Sequence, residues 1–227
     1  MDVVQAHKAL ADPGRVELAR GLLARDLSPG EIADHYGWST PLVAHHVKVL
    51  VEAGLVVRTR SEHDSRRAYV GLRHDDPDVV AMVSIGLPAG DQPRRVAFVC
   101  THNSARSKLA AAWWRRCSDV PAIDAGTAPA ARPARGALAV AEREGLDIDP
   151  ATRRADEVLA PGDLVVAVCD HVHETLPANA ERLHWSVPDP VAAARPHAFD
   201  EASSEIRRRV TQLHRLKGNP HGHHRPL

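Results

Sequence analysis

The spacing of apolar positions changes character once along the chain. In the first third it follows a helical period in short segments: "VVQAHKAL" from about Val3, "GRVELARGLLA" with Val16, Leu18, Leu22 and Leu23, "SPGEIADHYG", and "TPLVAHHVKVLVEAG". The residues at their ends carry boundary chemistry. Ser28 with Glu31 reads as a capping box, Thr40-Pro41 as a cap with proline at the first helical position, and Gly54 as a C-terminal stop. Two strand-like runs, "LVVRTR" and "RRAYVGL", then flank the polar "SEHDS" and predict a β-hairpin. Two helices joined by a tight turn and followed by a hairpin make a winged helix-turn-helix.

After about residue 93 the pattern alternates. Val96 to Cys100 predicts a strand, Ala105 to Cys117 a helix, Ala122 to Asp124 a strand, Ala134 to Glu144 a helix, Leu164 to Val168 a strand, and Ala198 to Leu216 a last helix. That order predicts a three-layer α/β/α domain around a parallel sheet. The expected organisation is an α/β chain in four parts. A winged helix-turn-helix spans 1–75, a linker spans 76–93 with a short helical stretch before Gly86 to Pro93, the parallel-sheet domain spans 94–217, and a disordered tail spans 218–227. The histidines of that tail read as part of a frayed polar end rather than as a metal site.

Composition adds bounds. A chain of 227 residues with 44% hydrophobic positions can furnish real cores. No apolar run approaches the roughly 20 residues of a membrane span. The first residues lack a charged-then-apolar signal segment, so a cytoplasmic location with no membrane partner is expected. Cys100, Cys117 and Cys169 are too few, and odd in number, for a disulfide framework; reactive or buried thiols are the alternatives. A formal net charge of zero means that any nucleic-acid footprint has to be local, and Arg58, Arg60, Arg66 and Arg67 around the hairpin supply one.

The densest chemistry lies in "VAFVCTHNSARSKLAAAWW", from Val96 to Trp114. Cys100 ends the apolar strand; Thr101, His102, Asn103, Ser104 and Ala105 form a loop; Arg106 and Ser107 open the following helix. Loop amides and a helix N-terminus present N–H groups to an oxyanion, and Arg106 adds a planar two-pronged donor. A positive field of that kind favours thiolate over thiol. Ser107 is positioned to donate toward the sulfur, and Asn103 to tie the loop into shape. The chemistry expected is attack by the Cys100 sulfur on an oxyanion bound beside it.

Two family resemblances sharpen these readings. The segment "LSPGEIADHYGWSTPLVAHHVKVLVEAGLVVRTR" resembles the ArsR family of dimeric bacterial repressors, over about residues 4 to 72. The resemblance implies a homodimer on a double-stranded DNA operator, with Thr40 to Leu50 as recognition helix in a major groove. Thr40, His45, His46 and Lys48 would face bases or phosphates, Val43, Val47 and Leu50 the core, and the hairpin arginines the phosphates. A winged helix that binds protein instead is the alternative. Metalloid sensors of that family often carry a cysteine pair, but no cysteine here precedes Cys100. His7, His35, His63 and His74 are scattered and read as surface residues, so no metal site is expected.

The pattern C-x5-R-[ST] after a strand, with "AGTAPA", "DLVVAVCD" and "HWSVPDPV", resembles the low-molecular-weight tyrosine phosphatases and the arsenate reductases built on their fold, over nearly all of 93–217. The resemblance implies a general acid at Asp189 in "PDPV". Both activities begin with thiolate attack. Phosphatases of this fold usually carry an aromatic beside the Asp-Pro; here Val191 follows Pro190 and aromatics are only 4% of the chain. Trp113 and Trp114 sit within a helix and read as core or interface.

Arsenate reduction needs a second thiol to release arsenite. Thioredoxin-coupled members use two further cysteines. Cys169, followed by Asp170, fits the first place, but Leu176 before Pro177 occupies the second. The open routes are a Cys100–Cys169 disulfide or an external low-molecular-weight thiol such as mycothiol with a redoxin; Cys169 as inert core is a third reading, and Cys117 reads as packing. No bound cofactor is expected. The function expected is a DNA-binding regulator fused to an arsenate reductase, acting on arsenate or phosphate oxyanion. Its alternatives are a phosphatase and a transcription factor whose second domain only senses an oxyanion.

Overall fold

The computed structural model of the chain describes residues 2–177 and 182–217, and divides between Leu87 and Pro88 into two compact units. The tail expected to be disordered, 218–227, lies outside the described residues.

The first unit runs α1 (Val3–Ala9), α2 (Pro13–Gly21), α3 (Pro29–Tyr36), α4 (Thr40–Glu52), β1 (Val56–Arg60), β2 (Ala68–Leu72) and α5 (Pro77–Ser84). The capping box closes in both directions, with the Glu31 amide donating to Ser28 Oγ at 3.3 Å and the Ser28 amide to Glu31 Oε2 at 2.7 Å. Gly54, at φ 71°, takes the left-handed turn that ends α4. One boundary shifts by a residue: Ser39 caps α4, and Thr40 is already helical. The strands pair antiparallel from Val56↔Leu72 to Arg60↔Ala68. Ser61 Oγ accepts from the His63 and Asp64 amides at 3.0 and 3.1 Å, which folds the loop between them.

Helix α5 is the short helical stretch expected before Gly86 to Pro93. It lies inside 76–93, is capped by Asp76, packs on α2 and buries Val79 and Val83. The apolar "VVAMV" gives it a face that is more stable buried than exposed, so only the Gly- and Pro-rich stretch after it crosses between the units.

The second unit runs β3 (Val96–Cys100), α6 (Arg106–Cys117), β4 (Ala122–Gly126), α7 (Arg135–Glu144), α8 (Ala155–Val158), β5 (Leu164–Ala167), α9 (Asp170–Thr175), β6 (Arg182–His184), α10 (Pro190–Ala193) and α11 (Ala198–Lys217). Its sheet is parallel, in the order β4-β3-β5-β6. All five residues of β3 are buried. Successive side chains of a strand point to opposite faces, so both faces of the sheet are covered and the unit has the three expected layers. Phe98 packs against Trp114 and Trp185 with ring centroids 6.1 and 5.8 Å apart, and α11 lies along α6. At the far end Arg95 grips Asp163 through two bonds of 2.8 and 2.6 Å, which fixes the start of β3 beside that of β5. Burial alone would raise the Asp163 carboxyl, but that arginine and the Ala160 amide hold it below its usual range.

The strand order positions the site. From β3 the chain goes first to β4 on one side and later to β5 on the other, which leaves a crevice at the carboxyl ends of β3 and β5. Cys100 closes β3, and Cys169 stands just after β5. The sheet therefore brings to neighbouring positions two thiols that are 69 residues apart in sequence. Among the described residues no helix is long and apolar enough to cross a membrane.

Candidate functional site

The loop after Cys100 is shaped from outside by its own carbonyls. Those of Cys100, Thr101, His102 and Ser104 accept from the amides of Thr127, Ala128, Ala130 and Ala134, at 3.2, 2.8, 2.9 and 2.9 Å. The amides of His102, Asn103, Ser104 and Ala105 donate to no backbone carbonyl among the described residues. With the carbonyls taken up on one side, those amides are left for an anion on the other. Two backbone features permit this path. Asn103 sits at φ 48°, a region its short polar side chain tolerates. Gly126 lies so close under the loop that a Cβ there would stand 2.7 Å from the Thr101 carbonyl oxygen and 2.8 Å from the Asn103 nitrogen.

Within this frame Cys100 Sγ lies 3.1 Å from Ser107 Oγ. Asn103 Nδ2 donates to the same Ser107 oxygen at 3.0 Å, which leaves the hydroxyl proton for the sulfur. Asn103 is itself held from both ends, donating to Asp124 Oδ1 at 2.8 Å and accepting from the Arg153 amide at 2.8 Å. Arg106 is buried and donates from Nη1 to the Val187 carbonyl at 2.9 Å and from Nη2 to Asp189 Oδ2 at 2.8 Å. Asp189 caps α10, its other oxygen accepting from the Val191 amide at 2.9 Å. The structure thus brings together Cys100, Arg106 and Ser107, which stand in one run of the sequence, and Asp189, the position that the family resemblance singled out.

Cys169 joins them. Its sulfur lies 3.7 Å from Thr101 Oγ1, and only 2% of the residue is exposed. Burial pushes its thiol up; the neighbouring Cys100 adds to this, and Arg106 works against it. Cys117 is elsewhere, its S–H directed at the Trp114 carbonyl and its thiol pushed up to about 12 by burial, as a packing residue should be. Trp113 and Trp114 are core, and so is Trp185.

Sequence reasoning missed Lys108, Asp124 and Gly126. Lys108 is fully buried, with Nζ 2.5 Å from Asp124 Oδ1. One signal was legible: an aspartate in the middle of "AIDAG", a strand that a parallel sheet has to bury. Among the described residues no group of three or more histidine, cysteine or carboxylate side chains could hold a metal ion.

In the first unit Thr40, His45, Lys48, Arg58, Arg60, Arg66 and Arg67 are all exposed, and Val43, Val47 and Leu50 are buried. His46 is a correction. It is 6% exposed, with its ring 4.9 Å from that of Trp38, and burial holds its imidazole below the usual histidine range. It shares the inward helical face of Val43, Val47 and Leu50, so it cannot read a groove. His74, expected at the surface, is buried as well. Arg66 is clamped to Asp64 by two bonds of 2.9 Å, and that clamp lowers the Asp64 carboxyl to about 2.

Comparison with known proteins follows this division. A family model described as low molecular weight phosphotyrosine protein phosphatase matches residues 95–219, and one described as MarR family matches residues 17–67. The model on the first unit thus carries the MarR name rather than the ArsR one. An arsenate reductase of Halalkalibacterium halodurans is 33% identical over 123 residues, covering 51% of this chain and 85% of that protein. One from Brevibacillus brevis is 29% identical over 131 residues, covering 54% of this chain and 96% of that protein. A solved arsenate reductase from Archaeoglobus fulgidus aligns at 30% identity with a TM-score of 0.46, over 52% of this chain and 97% of that one.

Proposed function

Because the chain belongs to the low molecular weight phosphotyrosine protein phosphatase family, with a MarR-type helix-turn-helix ahead of the family's domain, we propose that it is a thiol-dependent arsenate reductase joined to a transcriptional regulator. The observation that carries this reading is the cluster at the ends of β3 and β5. There a serine-bonded cysteine, a buried arginine bound to an aspartate, and a second cysteine meet over one loop of outward-tied carbonyls.

In this mechanism the amides of the loop from Thr101 to Ala105 and the Arg106 guanidinium hold arsenate. The Cys100 thiolate attacks arsenic, Ser107 supporting the sulfur, and Asp189 gives a proton to the departing oxygen, which leaves as water. A second thiolate then attacks the Cys100 sulfur. The S–As bond breaks, its electron pair stays on arsenic, arsenic(V) becomes arsenic(III), and arsenite leaves as a disulfide forms. The two electrons come from the two sulfurs.

Reduction is favoured over phosphoester hydrolysis by the pocket wall. Val191 is exposed beside the Asp-Pro, and Trp185 is packed in the core against Phe98, so neither offers a phenol a stacking partner. Both of the relatives compared above carry the name arsenate reductase. The reductant we infer is an external thiol such as mycothiol, because Leu176 occupies the place of the shuttle's last cysteine. Three free cysteines suit the reducing cytoplasm, where we place the protein. The first unit we read as a homodimer on an operator, gripped by Thr40, His45 and Lys48 from α4 and by Arg58, Arg60, Arg66 and Arg67 from the hairpin.

The test of the reductant is Cys169→Ser. With mycothiol and its redoxin this variant should keep most arsenite formation, and thioredoxin should support little turnover in variant or wild type. Robust thioredoxin-driven reduction that Cys169→Ser loses would overturn the external-thiol reading and make Cys169 the resolving thiol.

A further inference from the structure

Lys108 and Asp124 are an unusual pair for the inside of a domain. The Lys108 ammonium is fully buried, 2.5 Å from a carboxylate that is itself only 1% exposed. It also donates to the Ala151 carbonyl, and Arg115 stands 3.8 Å from the other carboxylate oxygen. Burying two such charges carries a large desolvation penalty even after the protein relaxes, and their attraction only roughly offsets it, so stability alone is a poor reason to keep them. Their location offers a better one. Asp124 Oδ1 accepts from Asn103 Nδ2 at 2.8 Å, Asn103 Nδ2 donates to Ser107 Oγ at 3.0 Å, and Ser107 Oγ lies 3.1 Å from Cys100 Sγ. A continuous polar chain therefore leads from the Lys108 ammonium to the sulfur through three side chains, Asp124 from β4, Asn103 from the loop and Ser107 from α6.

We propose that Lys108 and Asp124 are positioning residues for attack at Cys100: the ammonium fixes the Asp124 carboxylate, which fixes the Asn103 amide, which turns the Ser107 hydroxyl toward the sulfur. The inference rests on Cys100 as nucleophile and goes beyond it in saying what aims the nucleophile. Asn103 is the hinge of the argument. It sits at φ 48°, and its amide is the only part of the loop with side-chain bonds to both Asp124 and Ser107 among the described residues. Without a fixed acceptor at Asp124 that amide can rotate, and the hydroxyl loses the neighbour that directs its proton. Arg106 and the loop amides hold the oxyanion by bonds that bypass this chain. Loss of the pair should therefore act on the chemical step more than on substrate capture.

The test uses the full chain and measures arsenite formation, with the reductant that supports the wild type, per folded active site counted by stoichiometric alkylation of Cys100. In Lys108→Met, kcat should fall about 10–100-fold, the scale expected for a misplaced reacting group. KM for arsenate should stay within about threefold of wild type, since uniform binding is untouched. The double variant Lys108→Met with Asp124→Asn removes both charges but keeps an oxygen acceptor facing Asn103. It should recover kcat to within about fivefold of wild type, because the neutral pair no longer leaves a buried carboxylate uncompensated. A purely structural role predicts a lower melting temperature with unchanged kcat per folded site; that result, or a double variant no better than the single one, overturns the proposal. Cys100→Ser, assayed with the same reductant per mole of protein shown to be folded by circular dichroism, separates the two layers of the argument: turnover there removes the nucleophile assignment itself, whereas an inactive Cys100→Ser beside a fully active Lys108→Met removes only the positioning role.

Discussion

Arg106 holds Val187 and Asp189 from two ends of one guanidinium, so the residue proposed to bind the oxyanion also fixes Asp189, the proposed acid. A lysine keeps the charge but has no planar fork and cannot span two acceptors at fixed spacing. Arg106→Lys should accordingly lose about 2–4 kcal/mol of transition-state stabilisation, seen in kcat/KM for arsenate, by analogy with removal of one preorganised oxyanion donor. Near-wild-type kcat/KM would mean that the loop amides suffice. At this scale the sequence was readable wherever chemistry and spacing coincide: Cys100, Arg106, Ser107 and Asn103 stand in one run, and their contacts follow from a strand-loop-helix turn. It was less readable where a side chain's direction depends on packing. His46 looks like a groove reader beside His45 and Lys48, yet one helical step turns it inward onto Trp38. Lys108 looks like a solvated helix lysine, and only the sheet beside it supplies Asp124.

Among the elements, the loop from Thr101 to Ala105 depends on a neighbour that has no side chain. Gly126 ends β4 directly opposite Cys100, and the loop crosses it at contact distance. In Gly126→Ala the new methyl would meet backbone on the loop, which cannot move aside as a flexible side chain would. Overpacking of this kind costs about 1–3 kcal/mol. A lower melting temperature should therefore come with a loss in kcat/KM of at least about tenfold, as the amides leave their positions. Full activity with unchanged stability would show that the loop tolerates the shift and that its shape is not what binds the oxyanion. Elements with a clear signature were legible nearly to the residue: β3 is an unbroken apolar run and α6 a helix of 12 residues. Others were not. Helices α8, α9 and α10 and strand β6 each span six residues or fewer, too few to show a period, and β6 is "RLH", whose place is set by pairing with β5 rather than by its own pattern. Helix α5 was legible as a short helical stretch ahead of Gly86, where the glycine and the prolines beyond it mark its end.

For the whole molecule, two chemistries are assigned to two units, and each should survive loss of the other. Arg66→Ala with Arg67→Ala should weaken binding to operator and unrelated duplex DNA alike and flatten its dependence on salt, because phosphate contacts carry no sequence information. Arg66 is bonded to Asp64, so much of the effect is expected from the more loosely held Arg67. Unchanged affinity, measured by titration at two salt concentrations, would remove the hairpin from the DNA-binding face. The central claim, reduction of arsenate by thiolate attack, has a more direct test. Purified full-length protein is given arsenate and, in turn, mycothiol with its redoxin, glutathione with glutaredoxin, and thioredoxin with its reductase, and arsenite is measured beside Cys100→Ser under the same conditions. The account predicts arsenite from the wild type, most of all with mycothiol, and none from Cys100→Ser, with DNA affinity equal in both proteins; arsenite formed by Cys100→Ser, or none formed by the wild type with any of the three thiol systems, would contradict it.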